Sequence, residues 1–185
     1  MKNLRSIRLL VTAAALMATA AGAYAASDTA SHDIVLEVRE IAVIGLNDTS
    51  AITLRTAGTV TPGADPSTAA DDTDSSKLLQ YTSIVPGSAT RNITVALGAT
   101  GVPAGTELSL EATQMPAAAN VGVAAGRVVL SSTAANLITG IGSTATGTGT
   151  NGVELTYSYR ITDVSALATD DDATVTVTFT LTDAS

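Results

Sequence analysis

The chain has 185 residues, with one histidine, no cysteine and no tryptophan, and sets 17 acidic side chains against nine basic ones. A net charge of −8 repels phosphate backbones and anionic lipid headgroups, which argues against nucleic-acid partners and against peripheral membrane binding. One histidine and no thiol leave too few soft ligands for an ordinary zinc or copper site.

The first eight residues carry Lys2, Arg5 and Arg8, and an uncharged, mostly apolar run follows from Leu9 to Gly22. That run is too short to cross the roughly 30 Å hydrocarbon core as a helix. Ala23-Tyr24-Ala25 then supplies small residues at alternate positions, so the order reads as a cleavable secretory signal over residues 1–25. Residues 26–185 are expected to form a single β-sandwich domain. The leader holds three of the nine bases and no acid, so its loss leaves six bases against 17 acids, a net charge of −11. No later apolar run is long enough for a membrane span. The expected location is secreted, periplasmic or at the cell surface.

Beyond the leader, short alternating runs are separated by turn residues, the pattern of an all-β sandwich. Asp33 to Leu46 is the first. Ile34, Leu36 and Val38 share one face, and the apolar phase then shifts to Ile41 and Val43. A phase slip inside a long strand predicts a bulge or a change of sheet. Ile52 and Leu54 alternate with Thr53 and Arg55. Ala57 to Ser76 reads as a polar loop. Leu78–Val85, Ile93–Leu97, Leu108–Ala112 and Arg127–Leu130 read as strands, and Ser132–Ile138 as one helical turn. Gly140–Gly152 reads as a small-residue loop, and Pro86-Gly87, Pro103 to Gly105 and Asn151-Gly152 as turns. Val153–Ile161 and Thr174–Thr182 alternate most cleanly, the last with valine, phenylalanine and leucine against five threonines. About eight or nine strands with one polar face predict an antiparallel, immunoglobulin-like two-sheet sandwich. A membrane β-barrel would need aromatic girdles that this chain lacks.

Chemistry is sparse in the sequence. Gly147, Gly149 and Gly152 match a dinucleotide-binding string, but a strand follows where the mechanism requires a helix. His32 has no nucleophile elbow to serve. Glu107 and Glu111 share a strand face roughly 13 Å apart, beyond the usual spacing of glycosidase carboxylates. Neither a catalytic nor a cofactor-binding residue is therefore assigned, and an enzyme is not expected. Asp71, Asp72 and Asp74, and Asp170, Asp171 and Asp172, are the candidate calcium ligands, as clustered hard oxygens, although neither cluster has an EF-hand pattern. Lys77, the only lysine after the leader, is a candidate for an isopeptide bond to an Asn or Asp.

The stretches VPAGTELSLEA (102–112), LITGIGSTATGTGTNGVELTYSY (137–159) and TVTVTFTLTD (174–183) resemble an uncharacterised family of small secreted bacterial proteins. More broadly the chain resembles immunoglobulin-like subunits of bacterial surface filaments, without the cysteines of the chaperone-usher pilins. The resemblance implies a cell-surface filament or fimbrial role. The expected function is an exported structural or interaction protein that self-associates by strand addition through residues 33–46, with Ile34, Leu36, Val38, Ile41 and Val43 as the partner-strand residues. The alternative is a monomeric secreted binding module, calcium-assisted or sugar-directed, and no cofactor is assigned. N-terminal sequencing of the exported protein should read Ala-Ser-Asp-Thr-Ala from Ala26, and a start at Met1 would refute the cleavable leader.

Overall fold

The structure, a computed structural model, describes residues 29–56, 61–168 and 173–184. The chain divides into two units, residues 1–37 and 38–185, and every strand among the described residues belongs to the second. In the first unit, residues 29–37 have no regular secondary structure and are exposed.

The second unit is an antiparallel two-sheet sandwich of ten strands, with no α-helix among the described residues. One sheet contains β1 (Ile41–Leu46), β2 (Asp72–Ile84), β9 (Val153–Ile161), β4 (Thr106–Gln114) and β6 (Val128–Val129), in that spatial order. The short β8 (Thr144–Ala145) pairs with β2 beside β9. The other sheet runs β10 (Val177–Asp183), β3 (Arg91–Leu97), β7 (Ala135–Ile141) and β5 (Val123–Ala124). Alternation decides which side chains fill the space between the sheets. Leu79 and Tyr81 of β2, Leu108, Leu110 and Ala112 of β4, and Val153, Leu155 and Tyr157 of β9 are buried from one side. Ile93, Val95 and Leu97 of β3 and Leu137, Ile138 and Ile141 of β7 are buried from the other.

Several segments depart from the sequence reading. Only Ile41–Leu46 of the run from Asp33 is a strand, so the expected bulge is the strand's starting point instead. Pairing sets this limit. Ile41 lies opposite Ile84, so extending the ladder backwards would place Arg39 against Pro86, which has no N–H to give. Ile52 and Leu54 pack half-buried against the core, yet residues 51–55 form no strand. Their alternation reports contact with the core and not a ladder. The loop expected over 57–76 ends early, because β2 starts at Asp72. Polar residues enter the strand there because the long β9 pairs with them, Asp72 opposite Tyr159 and Asp74 opposite Tyr157. Ser132–Ile138 contains the start of β7 in place of a helical turn. Its ladder to β3 shifts register between Ile93 and Thr94, and this irregularity buries the neighbours Leu137 and Ile138 together. That doublet imitates a helical face in one dimension. The Gly140–Gly152 loop likewise contains the end of β7 and the whole of β8.

Gly105 fixes the turn before β4. Its φ of +74° is a conformation that other residues rarely adopt, and a Cβ there would meet the Asp163 carbonyl at 2.3 Å. Its own carbonyl accepts from Thr162 N at 2.8 Å and Asp163 N at 3.1 Å, joining the start of β4 to the end of β9. Leu155→Ala should cost roughly 2–5 kcal/mol in chemical denaturation, the usual range for emptying a core leucine site. Val43→Ala, at a residue 61% exposed on β1, should cost less than about 0.5 kcal/mol in the same assay.

Candidate functional site

Both sheets end on the same side of the sandwich, one in β1 and the other in β10, and these two strands approach each other. Among the described residues, neither has a second strand partner. The ladder bonds show which backbone groups are left over. Gly98 N donates to Thr176 O at 2.8 Å and Ala184 N to Thr90 O at 2.9 Å, at the two ends of the β10–β3 ladder. Even-numbered residues of β10 therefore form its hydrogen-bonded pairs, and the N–H and C=O groups of Val177, Phe179 and Leu181 face away from β3. On β1, Asn47 N donates to Leu78 O at 3.0 Å, so Ala42, Ile44 and Leu46 turn their backbone groups away from β2.

Apolar side chains accompany these free edges. Ile44, Leu46, Val177, Phe179 and Leu181 pack against the core but are only half-buried. On the outer face of β1, Ile41 is 39% and Val43 61% exposed. Just before β1, Val38 is 84% exposed, and in the first unit Ile34 is 69%, Val35 92% and Leu36 87% exposed. The five residues expected on one partner strand are thus split. Ile41 and Val43 belong to β1, opposite Ile84 and Thr82, whereas Ile34, Leu36 and Val38 precede the strand.

One end of this side is closed by Arg91, which is 4% exposed. Its Nη1 donates to Ile41 O at 2.6 Å, Ser83 Oγ at 3.2 Å and Ile84 O at 3.3 Å. Its Nη2 pairs with Glu40, and its Nε donates to Asp183 Oδ1 at 3.1 Å. A single guanidinium thereby binds the start of β1, the end of β2 and the end of β10. Sequence reading missed Arg91. The available signal was parity: it shares the inward face of β3 with Ile93, Val95 and Leu97.

Lys77 is the second buried cation, 5% exposed, beside the register shift between Asp74 and Lys77 in β2. Its Nζ lies 2.7 Å from Asp48 Oδ2 and 3.0 Å from Ser50 Oγ, and Ser50 Oγ also donates to Asp48. The Lys77 ammonium, then the Ser50 donors, hold the Asp48 carboxyl well below the usual carboxylate range. Amide formation would need an acid that gains a proton readily, so this geometry describes an ion pair and does not favour an isopeptide bond.

The remaining sequence candidates are dispersed. Asp71 faces Arg127 at 3.4 Å, Asp72 accepts from Arg55 N at 2.7 Å, and Asp74 accepts from Ser76 N at 2.9 Å and Ser76 Oγ at 2.6 Å. Each of the three is engaged with a different protein donor, and among the described residues no group of three acidic or histidine side chains is placed to hold a metal. Asp170, Asp171 and Asp172 lie outside the described residues. Glu107 is ion-paired with Arg127 at 3.1 Å and Arg160 at 2.9 Å, whereas Glu111 is exposed. His32 is exposed in the first unit. The glycines 147, 149 and 152 form the turn into β9, with Gly149 O accepting from Gln80 Nε2 at 3.0 Å. No helix among the described residues is long and apolar enough to cross a membrane.

Compared with protein families, curated proteins and solved structures, the chain matches none of them.

Burial pushes the phenols of Tyr81 and Tyr157 up to about 12, with the Asp74 carboxylate adding to the effect at Tyr157. A raised phenol contributes stability that is complete below the ordinary value of 10 and is lost as pH rises toward 12. Absorbance titration at 295 nm should show two tyrosines ionising near pH 12, with the melting temperature falling between pH 10 and 12. Asp48 works in the opposite direction: its contribution is present above the ordinary carboxylate value of 3.8 and is lost on acidification below it. Asp48→Asn should therefore flatten the acid limb of the stability profile while leaving the alkaline limb unchanged.

Proposed function

We propose that the protein is an exported structural subunit that self-associates by β-strand addition through its N-terminal segment. The observation that carries this reading is the exposed apolar run from Ile34 to Val38, directly ahead of an edge strand. Isolated exposed apolar residues are ordinary, but four in five consecutive positions, each at least 69% exposed, mark an interaction segment. Ile34, Leu36 and Val38 sit at alternate positions, as a strand that buries one face requires. Strand addition suits such a segment, since main-chain hydrogen bonds supply affinity and alternate side chains supply register. The composition agrees with a structural role in the envelope or outside it. The secretory leader read from residues 1–25 agrees with a place outside the cytoplasm.

The test is assembly of the full chain as processed by the expressing cell. Size exclusion and negative-stain microscopy should show oligomers or fibres for the native sequence. Ile34→Asp with Leu36→Asp should return a monomer whose melting temperature is within about 2 °C of the native protein, because surface changes away from a core cost little. A native chain that remains monomeric at high concentration would overturn the proposal, as would a double variant that still assembles.

A further inference from the structure

We infer that the acceptor for this N-terminal segment is the free edge of β10 in a second copy of the chain. The inference rests on the self-association proposed above and adds the surface it uses.

A donated strand needs an edge with unpaired backbone groups and room for its inward side chains. Among the described residues, four strands end a sheet, β1, β6, β10 and β5, and the two-residue β8 also has a single partner. β5 and β6 are two residues long and cannot template an extended segment. β1 presents two inward apolar residues, Ile44 and Leu46, and its first residue is already held by Arg91. β10 is seven residues long and turns the backbone groups of Val177, Phe179 and Leu181 away from β3. Those same three side chains point between the sheets and remain half-buried, so the sandwich is incompletely covered along this edge.

The segment from Asp33 to Arg39 matches this edge in length and in pattern. It too spans seven residues, about 23 Å when extended. Ile34, Leu36 and Val38 repeat at the two-residue interval of Val177, Phe179 and Leu181. With those three turned inward, Val35 and Glu37 face outward and continue a surface formed by Thr178, Thr180 and Thr182, which are exposed and uncharged. Like-charge contacts across the new pair are thereby avoided. Charge also favours edge pairing over broad face-to-face packing, because a processed chain with six bases against 17 acids, a net charge of −11, repels its own copies over large surfaces. Ile41–Leu46 stays paired with β2, and residues 33–39 belong to none of the strands of their own sandwich. Each copy would then offer one donor and one acceptor at different places, a head-to-tail arrangement that propagates without closing.

The absence of cysteine makes this directly testable by cross-linking, since every thiol can be placed by choice. Two full-length single variants, Val35→Cys and Thr180→Cys, are mixed under mild oxidation. Both sites are exposed, so neither substitution disturbs the core. The expected product is a mixed disulfide dimer, at least tenfold more abundant than that formed by Val35→Cys with Val43→Cys on β1 or with Val123→Cys on β5. Preferential cross-linking to position 43 or 123 would overturn the β10 assignment while leaving self-association standing. Assembly of the native chain without a cross-link to any of the three would also overturn it. No assembly and no cross-link would overturn both the acceptor and the functional proposal.

Discussion

The sandwich depends at one end on a buried cation. Arg91 starts β3 on the inward face, where its neighbours in parity are Ile93, Val95 and Leu97. A guanidinium removed from water must satisfy its five donors locally. The chain answers with the carbonyls of Ile41 and Ile84, the hydroxyl of Ser83 and the carboxylates of Glu40 and Asp183. These groups come from β1 and the residue before it, from β2 and from β10, so the demand of one side chain ties together the ends of three strands. The two acids remain more than half exposed, at 52% for Glu40 and 81% for Asp183, so they retain much of their own hydration. The arrangement therefore avoids the full desolvation cost of a buried pair and acts mainly by placing chain ends.

That placement has a consequence for the N-terminal segment. With Ile41 anchored and Pro86 closing the ladder at the top of β2, the chain before Glu40 has no pairing position on β2. An apolar sequence of good β propensity is thus left outside the ladder by the geometry of its own domain. Hydrophobicity alone would have drawn residues 33–40 into the first strand. The limit is set by hydrogen-bond supply: a strand extends only as far as its neighbour has groups to offer.

How much of this could be read from sequence follows from the same physics. Two-residue periodicity exposed β3, β4, β9 and β10 with nearly correct bounds, because each buries one face across its length. It failed where burial and pairing separate. Ile52 and Leu54 alternate in burial without a ladder, Leu137 and Ile138 are buried together at a register shift, and β2 starts among aspartates because β9 extends alongside them. The aspartate candidates show a related limit. Asp71, Asp72 and Asp74 are close in sequence, but Asp71 precedes β2, Asp72 and Asp74 sit at alternate positions within it, and each found a separate protein donor. Arg91 was legible as an inward-phase cation and was overlooked, whereas Lys77 was singled out for its rarity and not for its inward phase.

Natural sandwiches guard exposed edges with charge, proline or brevity, since an open edge invites pairing. Here the guards are uneven. β5 and β6 are kept short, and β1 is followed closely by the Asp48–Lys77 ion pair. β10 has none of these along Val177–Thr182: its outward residues are threonines, its inward ones valine, phenylalanine and leucine, and its first charge is Asp183, at the end bound to Arg91. Apolar residues and threonines alternate along β10 without interruption, and Ile34, Leu36 and Val38 of the proposed donor segment repeat at the same two-residue interval.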